Sequence, residues 1–384
     1  MSRLTSLLFG CSALLAAALL SVPTRGDDAP AKPKPKDIDL VLCLDISGSM
    51  EHLIDSAKQK LWDIVNDLAK VKPTPNLRVA LYSYGATPYD PVKGWVQKDL
   101  DFVDDLDLVF KKLFAYRCNG GEEYVARVCR DAIRDLKWST AKDALKIIFV
   151  CGNEPATQDR LVKLPEVADL AKKQGVLINP IYCGGPDDPD AKSWREFGLM
   201  TGGRYLTIDA SKNVRVAVNT PFDKDIAALA DKVNATYVPV GNKELREAKA
   251  NDQKAQTETS KQLGSSNLAA RVVTQNSALY RNDSWCLVDK VKLDPKLDIT
   301  KIPVADLPEV LQKLKPQERV EYVQKKLQER MTIQKQVNEL NAKREEYIRA
   351  EQKKQASDPK RGLDGALRET LRLQARTKGI EIPE

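Results

Sequence analysis

The chain has 384 residues, of which 42% are hydrophobic and 30% charged, and its formal net charge is +7. This composition is ordinary for a soluble globular protein, and the length suggests two or three domains. The chain has a single histidine, His52. That excludes most nucleophile–histidine mechanisms and histidine metal centres, so the composition favours binding over catalysis.

The first 26 residues predict an export signal. Arg3 supplies a positive start, residues 7–22 are apolar and rich in Ala and Leu, and Pro23 ends the run. The run is short for a membrane span, so no transmembrane segment is expected once the signal is removed. Residues 27–36 carry three prolines and predict an extended linker. The protein is therefore expected in the periplasm or outside the cell.

The cysteines that follow the signal would meet an oxidising compartment. They form no Cys-x-x-Cys pair, which argues against a zinc site. Cys43, Cys151 and Cys183 lie in or at the ends of apolar runs, where a free thiol behaves as a small apolar group. The sequence leaves open a disulfide that joins Cys118 to Cys129 or to Cys151.

Residues 37–234 alternate apolar runs with amphipathic segments. The run at 145–150 is almost continuously apolar, which is typical of a strand covered on both faces. Such alternation predicts a doubly wound, mostly parallel α/β sheet, and ligands bind these sheets beyond the carboxyl ends of the strands. Strands are predicted at residues 38–44, 77–84, 93–97, 144–151, 176–183 and 204–208, and helices at residues 54–71, 105–114, 124–136, 165–174 and 192–200.

The remainder of the chain has a different character. Residues 235–315 predict a polar connecting region, and residues 316–384 a mainly α-helical tail. Apolar residues at 3–4 spacing over 318–352 predict a long helix, either in a short coiled coil or packed on a neighbour in the same tail. A loop at 353–362 and a last helix at 363–377 should follow. The mixed charges of the tail indicate a solvated helical surface rather than a nucleic-acid site, and homo-oligomers through the tail are one expectation.

The chemistry of the chain is concentrated at the end of its first predicted strand. Asp45, Ser47 and Ser49 stand at alternate positions there, just before the first helix. Carboxylate and hydroxyl oxygens suit a hard divalent cation such as Mg²⁺. The simpler alternative is that all three residues cap the following helix.

This Asp-x-Ser-x-Ser motif is one of four features that resemble the von Willebrand factor A-domain (VWA) family. The others, in chain order, are Gly120-Gly121, the apolar run 147–150 and the run 201–205 ahead of the last strand. The resemblance covers about residues 37–233 and implies a Rossmann-like α/β fold. The chain also resembles exported bacterial VWA proteins that carry a charged helical tail.

In that family, three loops at the top of the sheet form a metal-ion-dependent adhesion site (MIDAS). The resemblance implies that Ser47 and Ser49 bind the ion directly and that Asp45 binds it directly or through water. The second loop of the family supplies a Thr and the third an Asp, and a Glu or Asp from a protein partner completes the octahedron. The implied ion is Mg²⁺, with Mn²⁺ or Ca²⁺ as alternatives.

The sequence departs from this pattern in two loops. The second loop reads Gly-Gly followed by Glu122 and Glu123, and the third has Gly152 and Asn153 where the family has Asp-Gly. We expect Glu122 or Glu123 to replace the missing carboxylate and Asn153 to add a neutral oxygen. Two simpler interpretations stay open: the glutamates are acids in the first turn of a helix, and Asn153 belongs to a turn.

The sequence therefore predicts an exported, non-enzymatic protein-binding module with a degenerate MIDAS. One alternative is a metal-free VWA scaffold whose helical tail mediates assembly. Another is a phosphohydrolase that uses Asp45, but such enzymes usually carry a second Asp two positions on, where Ser47 stands here. No P-loop or dinucleotide-binding glycine run is present, and the aromatic residues are too scattered for base stacking.

Overall fold

The structure is a computed structural model that describes residues 34–68, 70–185, 187–208, 219–355 and 363–382. The predicted export signal and nearly all of the predicted linker lie outside these ranges. Of the helices in the described part of the chain, none combines the length and apolar character needed to cross a membrane. The chain from Pro35 onward groups into one compact unit.

A single sheet of mostly parallel strands organises the first half of the chain. Its order is β3-β2-β1-β4-β5-β6, and β3 alone among the described strands runs antiparallel to its neighbour. The predicted doubly wound, mostly parallel α/β fold is thereby confirmed. The strands are β1 (Asp37–Asp45), β2 (Asn76–Tyr84), β3 (Val96–Val103), β4 (Leu145–Gly152), β5 (Leu177–Tyr182) and β6 (Leu206–Thr207).

The central strand β1 determines which residues meet at the carboxyl edge of the sheet. It pairs with β2 on one side and β4 on the other, so Asp45 lies beside Tyr84, and Leu44 lies beside Cys151. All of β1 after Asp37 is buried, which explains why its sequence is nearly continuously apolar. The carboxyl ends of β1, β2 and β4 are therefore adjacent, and the loops that follow them can share one site.

Helices cover both faces of the sheet, close to their predicted positions. Apolar residues of α1 and α2 pack on one face, and those of α3, α4 and α5 pack on the other. Asp105 caps α2 by accepting a 3.0 Å hydrogen bond from the Leu108 amide, and Gly175 and Gly202 end α4 and α5 in the left-handed conformation. The helices are α1 (Ile54–Leu68), α2 (Leu106–Ala115), α3 (Val125–Asp135), α4 (Leu164–Gln174) and α5 (Ala191–Thr201).

The second half of the described chain is helical. Helices also occur within residues 235–315, for which the sequence predicts a polar connecting region. Most of these helices are short and bury few apolar side chains each, which is why their apolar pattern in the sequence is weak. They are α6 (Asp223–Ala227), α7 (Ala230–Asn234), α8 (Lys243–Gln262), α9 (Ser265–Gln275), α10 (Leu287–Leu293), α11 (Glu309–Gln312), α12 (Pro316–Gln355) and α13 (Leu363–Arg376).

The long helix α12 packs on other helices of the same chain. Its residue Val323 joins a core with Trp285 and Val288, and Val337 joins another core with Val272. The apolar spacing predicts either a short coiled coil or a helix packed on a neighbour in the same tail. The structure has the second arrangement. The predicted loop lies largely outside the described residues, although α12 extends to Gln355.

The last helix, α13, returns to the sheet. Leu367, Leu371 and Ala375 are buried in the same core as α1 and α2. The amide of Asn179 on β5 donates to Gln374 Oε1 over 2.9 Å, and the amide of Gln374 donates to Asn179 Oδ1 over 2.7 Å. The C-terminal helix is therefore part of the core of the sheet rather than a separate appendage.

The disulfide that the sequence left open is not formed. Cys118, Cys129 and Cys151 are free thiols, as are the other cysteines of the described chain. Cys118 packs against the core on the α1 face of the sheet, whereas Cys129 lies in the core on the opposite face. The sheet itself separates these two residues, and Cys151 has a different sulfur neighbour, Cys183.

Candidate metal-binding site

The first loop of the site folds around the Asp45 carboxylate. The Ser47 amide donates to Asp45 Oδ1 over 2.8 Å, and the hydroxyl oxygens of Ser47 and Ser49 lie 2.9 Å apart. A single 3-10 turn, Gly48–Met50, precedes α1, and the Ser47 side chain makes no capping hydrogen bond to it. The Ser47 hydroxyl therefore contacts Ser49. It does not cap the helix, as the simpler interpretation of this residue predicts.

The third loop reaches the same hydroxyls. Asn153 follows β4, and its Oδ1 accepts a 3.0 Å hydrogen bond from Ser49 Oγ. Ser49 is exposed and Asn153 is half-buried, whereas Asp45 and Ser47 are buried. The four side chains therefore form a column of oxygens that runs from the edge of the sheet to the surface.

The second loop closes the site from the other side. The Asn119 amide donates to the Ile46 carbonyl over 2.8 Å, which fixes this loop against the first one. Glu123 is half-buried and lies beside Ser47: a Cβ on Gly85 would be 3.2 Å from Ser47 Cβ and 3.3 Å from Glu123 Cγ. Glu122 is exposed and makes no hydrogen bond to the cluster within the described residues. The structure thus brings together Asp45, Ser47, Ser49, Glu123 and Asn153, and leaves Glu122 outside.

Two glycines make the close approach of the first and second loops possible. Gly85 follows β2 with φ of +83°, and a Cβ there would lie 2.8 Å from Asp45 Oδ1 and 3.3 Å from Glu123 Cγ. A Cβ on Gly121 would collide with the Gly85 carbonyl oxygen. Side chains at these positions would therefore push Glu123 away from Asp45.

Three carboxyl groups, those of Asp45, Glu123 and Glu154, lie close together at the site, and that of Asp45 is fully buried. Burial raises the pKa of Asp45 to about 7, against the lowering effect of the Ser47 hydrogen bonds, and the charges of Glu123 and Glu154 raise it further. Burial also raises the pKa of Glu123 and of Glu154. Asp45 Oδ2 is buried and has no hydrogen-bond partner in the described chain. A buried carboxylate without a compensating charge is costly, so a bound cation would stabilise this arrangement.

The donor set fits a hard cation. It comprises carboxylate oxygens of Asp45 and Glu123, hydroxyls of Ser47 and Ser49, and the amide oxygen of Asn153, and Mg²⁺ and Ca²⁺ prefer oxygen ligands. Among the described residues, no group of three or more His, Cys, Asp or Glu side chains is arranged to hold a metal ion. The cluster at Asp45 is of another kind, because its remaining donors are hydroxyl and amide oxygens.

Tyr84 occupies the place where the third-loop acid of the family pattern would stand. A Cβ on Gly152 would lie 2.5 Å from Tyr84 Oη, 3.0 Å from Asp45 Oδ2 and 3.1 Å from Trp194 Cη2. The Tyr84 hydroxyl donates to the Cys151 carbonyl over 3.0 Å. The sequence analysis missed Tyr84, although its position at the end of the second strand, beside Asp45, was a signal that could have identified it.

No family model and no curated protein matches the chain. Among solved structures, proximal thread matrix protein 1 from the mussel byssus, with a zinc-occupied MIDAS motif, is 12% identical with a TM-score of 0.36, over 47% of this chain and 44% of that one. BatB from Bacteroides thetaiotaomicron is 14% identical with a TM-score of 0.35, over 47% and 95%. The SpRpn10 VWA domain is 17% identical with a TM-score of 0.36, over 45% and 88%. The chain thus spans less than half the length of the mussel protein.

The sheet is doubly wound and mostly parallel, as the sequence resemblance predicts, and the Asp-x-Ser-x-Ser motif lies at the carboxyl end of its central strand. Residues 37–234 therefore have the fold that the resemblance to the VWA family predicts, and we call this part of the chain the VWA-like domain. The helices from α8 to α13 lie outside the residues that the sequence resemblance covers. The VWA-like domain nevertheless depends on α13, which completes one of its cores.

Proposed function

We propose that the VWA-like domain binds a protein partner through a divalent cation held by Asp45, Ser47 and Ser49. The observation that carries this proposal is the Asp45 carboxylate, which is fully buried and has one oxygen without a partner, directly below a column of hydroxyl and amide oxygens. When bound, the ion would supply an open coordination position to a carboxylate from outside.

The protein's own residues have distinct tasks in this proposal. Ser49 and Asn153 lie on the accessible side, where an incoming carboxylate would approach. Glu123 adds a negative charge close to Ser47, so an external carboxylate is attracted less strongly than at a site with a neutral Thr in this place. We therefore propose a protein partner that presents a Glu or Asp and binds weakly or through additional contacts.

The site is proposed to bind and not to catalyse. Asp45 is completely shielded from solvent, so its carboxylate cannot reach a phosphoryl group as a nucleophile without opening of the loops. The position two residues on is Ser47, where a phosphohydrolase would carry its second Asp. The predicted export signal further supports a role outside the cytoplasm, and assembly through the helical tail remains a secondary proposal.

Calorimetric titration of the full chain with Mg²⁺ or Mn²⁺ at pH 8 tests the metal part of the proposal. The wild type should bind one ion, and the Asp45→Ala, Ser47→Ala double variant should not. Asp101→Ala, which removes an exposed carboxylate on β3, is the matched control and should bind as the wild type does. Equal binding by the double variant and the wild type, or no binding by either, would refute the metal site.

The pH dependence of this binding provides a second readout. Because an ion binds the deprotonated carboxylate and the pKa of Asp45 is raised to about 7, affinity should fall about tenfold for each pH unit below 7. The titration should also release a proton near pH 6. An affinity that is constant between pH 6 and pH 8 would contradict a role for Asp45 as ligand.

A further inference from the structure

Two buried thiols lie in contact at the carboxyl ends of adjacent strands. Cys151 Sγ and Cys183 Sγ are 3.2 Å apart. Cys151 pairs with Ile181 in the β4–β5 ladder, and the Cys183 amide continues that ladder by donating to the Gly152 carbonyl over 2.8 Å. Both side chains belong to the same core cluster, on the α1 face of the sheet.

We propose that Cys151 and Cys183 form a disulfide when the chain folds under oxidising conditions. Cys183 lies just past the end of β5 and two residues beyond Ile181, the register partner of Cys151, so the two cysteines are diagonal neighbours. Diagonal Cα atoms lie about 7–8 Å apart, at the upper limit of about 7 Å for a disulfide, so the chain at Cys183 must shift slightly toward β4. Since the backbones are already joined by a ladder hydrogen bond beside the pair, the sulfurs need to approach by only about 1 Å to reach bonding distance. A small shift of the chain at Cys183, which follows the last residue of β5, supplies this movement together with side-chain rotation.

The pair stands apart from the other cysteines of the described chain. Cys43 and Cys129 lie in the core on the opposite face of the sheet, and no sulfur–sulfur contact joins them. Cys286 is buried in a third core, among helices of the second half of the chain. Cys118 is partly buried on the same face as the pair, but no sulfur–sulfur contact among the described residues includes it. Geometry therefore selects one pairing from the several that the cysteine count allows.

The chemistry is a thiol–disulfide exchange with a disulfide oxidant of low molecular mass. The thiolate of one cysteine attacks the oxidant, whose S–S bond breaks and releases one thiol and leaves a mixed disulfide on the protein. The thiolate of the second cysteine then displaces the second thiol. In sum, the two cysteines lose two protons and two electrons and form one S–S bond, and the oxidant is reduced to two thiols.

The location of the pair determines when this exchange takes place. Contact with the Cys183 thiol and burial raise the pKa of the Cys151 thiol well above its usual range, and both side chains are almost completely shielded from solvent. The thiolate is the reactive form, so exchange in the folded protein is slow. The bond therefore forms during folding, before the strands are covered, and is afterwards protected from reductants.

The cross-link lies next to the candidate site. Cys151 directly precedes Gly152, and its carbonyl accepts the Tyr84 hydroxyl. A bond to Cys183 would fix the end of β4, and with it the start of the loop that carries Asn153. The cross-link itself requires neither a metal ion nor a partner, so its test is independent of the proposed function.

Peptide mapping of the refolded full chain tests the proposal. The protein is reduced and denatured, refolded with a mixture of reduced and oxidised glutathione, alkylated in denaturant and digested with trypsin. The tryptic peptides 147–160 and 174–192 should be recovered as one disulfide-linked species that separates on reduction, with Cys43, Cys118, Cys129 and Cys286 alkylated. Recovery of Cys151 and Cys183 as alkylated thiols, or linked to other partners, would overturn the proposal.

Thermal unfolding gives a second readout with a matched control. The oxidised wild type should unfold about 5 °C above its reduced form, because the bond closes a loop of the unfolded chain. Cys183→Ser should abolish this difference, whereas Cys286→Ser, which removes a buried thiol without a sulfur neighbour, should keep it. If Cys183→Ser does not fold, the peptide map of the wild type alone decides. A difference that persists in a folded Cys183→Ser protein would refute the assignment.

Discussion

The hydroxyl of Tyr84 fills the space that a side chain on Gly152 would need. The two residues end β2 and β4, the strands on either side of the central strand β1, and a Cβ on Gly152 would lie 2.5 Å from Tyr84 Oη. The same hydroxyl satisfies the Cys151 carbonyl. The space beside Gly152 is therefore filled by a tyrosine of β2, which is itself hydrogen-bonded.

This relationship predicts that Gly152→Ala destabilises the protein. The added methyl group must displace the buried Tyr84 side chain, and overpacking of this kind costs about 1–3 kcal/mol. In a Tyr84→Phe background the nearest clash is removed, so the cost of Gly152→Ala should be smaller. A double-mutant cycle by urea unfolding measures this coupling.

Gly185→Ala is the control for that cycle, because a Cβ on Gly185 meets no atom within 4 Å. Its effect on the free energy of unfolding should stay within about 0.5 kcal/mol. Additive effects of Gly152→Ala and Tyr84→Phe would show that the two residues do not compete for the same space.

The sequence predicted the sheet domain well and the candidate site in part. The strand predicted at residues 93–97 was largely wrong, because it overlaps β3 (Val96–Val103) only at the first two residues of β3. The other predicted strands and the predicted helices correspond to β1, β2, β4–β6 and α1–α5, and Asp45 and the two serines are local in the chain. The roles of Tyr84 and Glu123 depend on strand register and on the packing of a glycine loop, neither of which a local pattern contains. Likewise, α13 packs on the core of the sheet, where Gln374 contacts Asn179, which lies 195 residues earlier in the chain. A local sequence pattern contains no information about such a contact.

The raised pKa of Asp45 predicts a loss of stability as pH rises. The carboxyl holds its proton up to about pH 7 in the folded protein, but only to about pH 4 in the unfolded chain. Between these values the folded state binds the additional proton, so the free energy of unfolding falls with increasing pH, by up to about 4 kcal/mol in all. Asp45→Asn removes this dependence.

The measurement compares urea unfolding of wild type and Asp45→Asn from pH 4 to pH 8 in the presence of a chelator. The stability of the variant relative to the wild type should rise through this window. In a separate series without chelator, Mg²⁺ at pH 8 should stabilise the wild type but not the variant. Asp101→Asn, which alters an exposed carboxylate with a lowered pKa, should leave the pH profile unchanged in this window. Parallel profiles for wild type and Asp45→Asn would contradict the assignment.

A buried ion pair fastens the second half of the chain to the VWA-like domain. Arg271 on α9 donates to Asp107 Oδ1 on α2 over 3.0 Å and to Gln253 Oε1 on α8 over 3.2 Å, and both charged side chains are buried. Arg271→Met would leave Asp107 without its counter-charge, and loss of one partner of a buried pair costs about 3–5 kcal/mol. Thermal or urea unfolding should register this loss.

Two variants make the prediction about this ion pair specific. The double variant Asp107→Leu, Arg271→Met should recover much of the stability, because neither charge then remains buried alone. Lys192→Met, which breaks an exposed pair with Glu196, should change the free energy of unfolding by no more than about 0.5 kcal/mol. A double variant as unstable as Arg271→Met would indicate that packing, rather than charge, is what Arg271 contributes.

The position of α13 predicts that the VWA-like domain is unstable without the C-terminal helix. Leu371 is fully buried against the sheet core, and truncation of such a leucine to alanine costs about 2–5 kcal/mol. Leu293→Ala, at a position with 61% exposure, should have almost no effect. A chain that ends at Gln355 should bind a hydrophobic dye and unfold at lower urea concentration. Deletion of residues 242–384 would remove α13 and with it part of the core of the domain. Such a deletion therefore cannot distinguish a metal-dependent binding domain from a metal-free scaffold whose tail mediates assembly. Point variants of Asp45 and Ser47 can make this distinction. A truncated chain with wild-type stability would contradict the packing of α13 on the sheet.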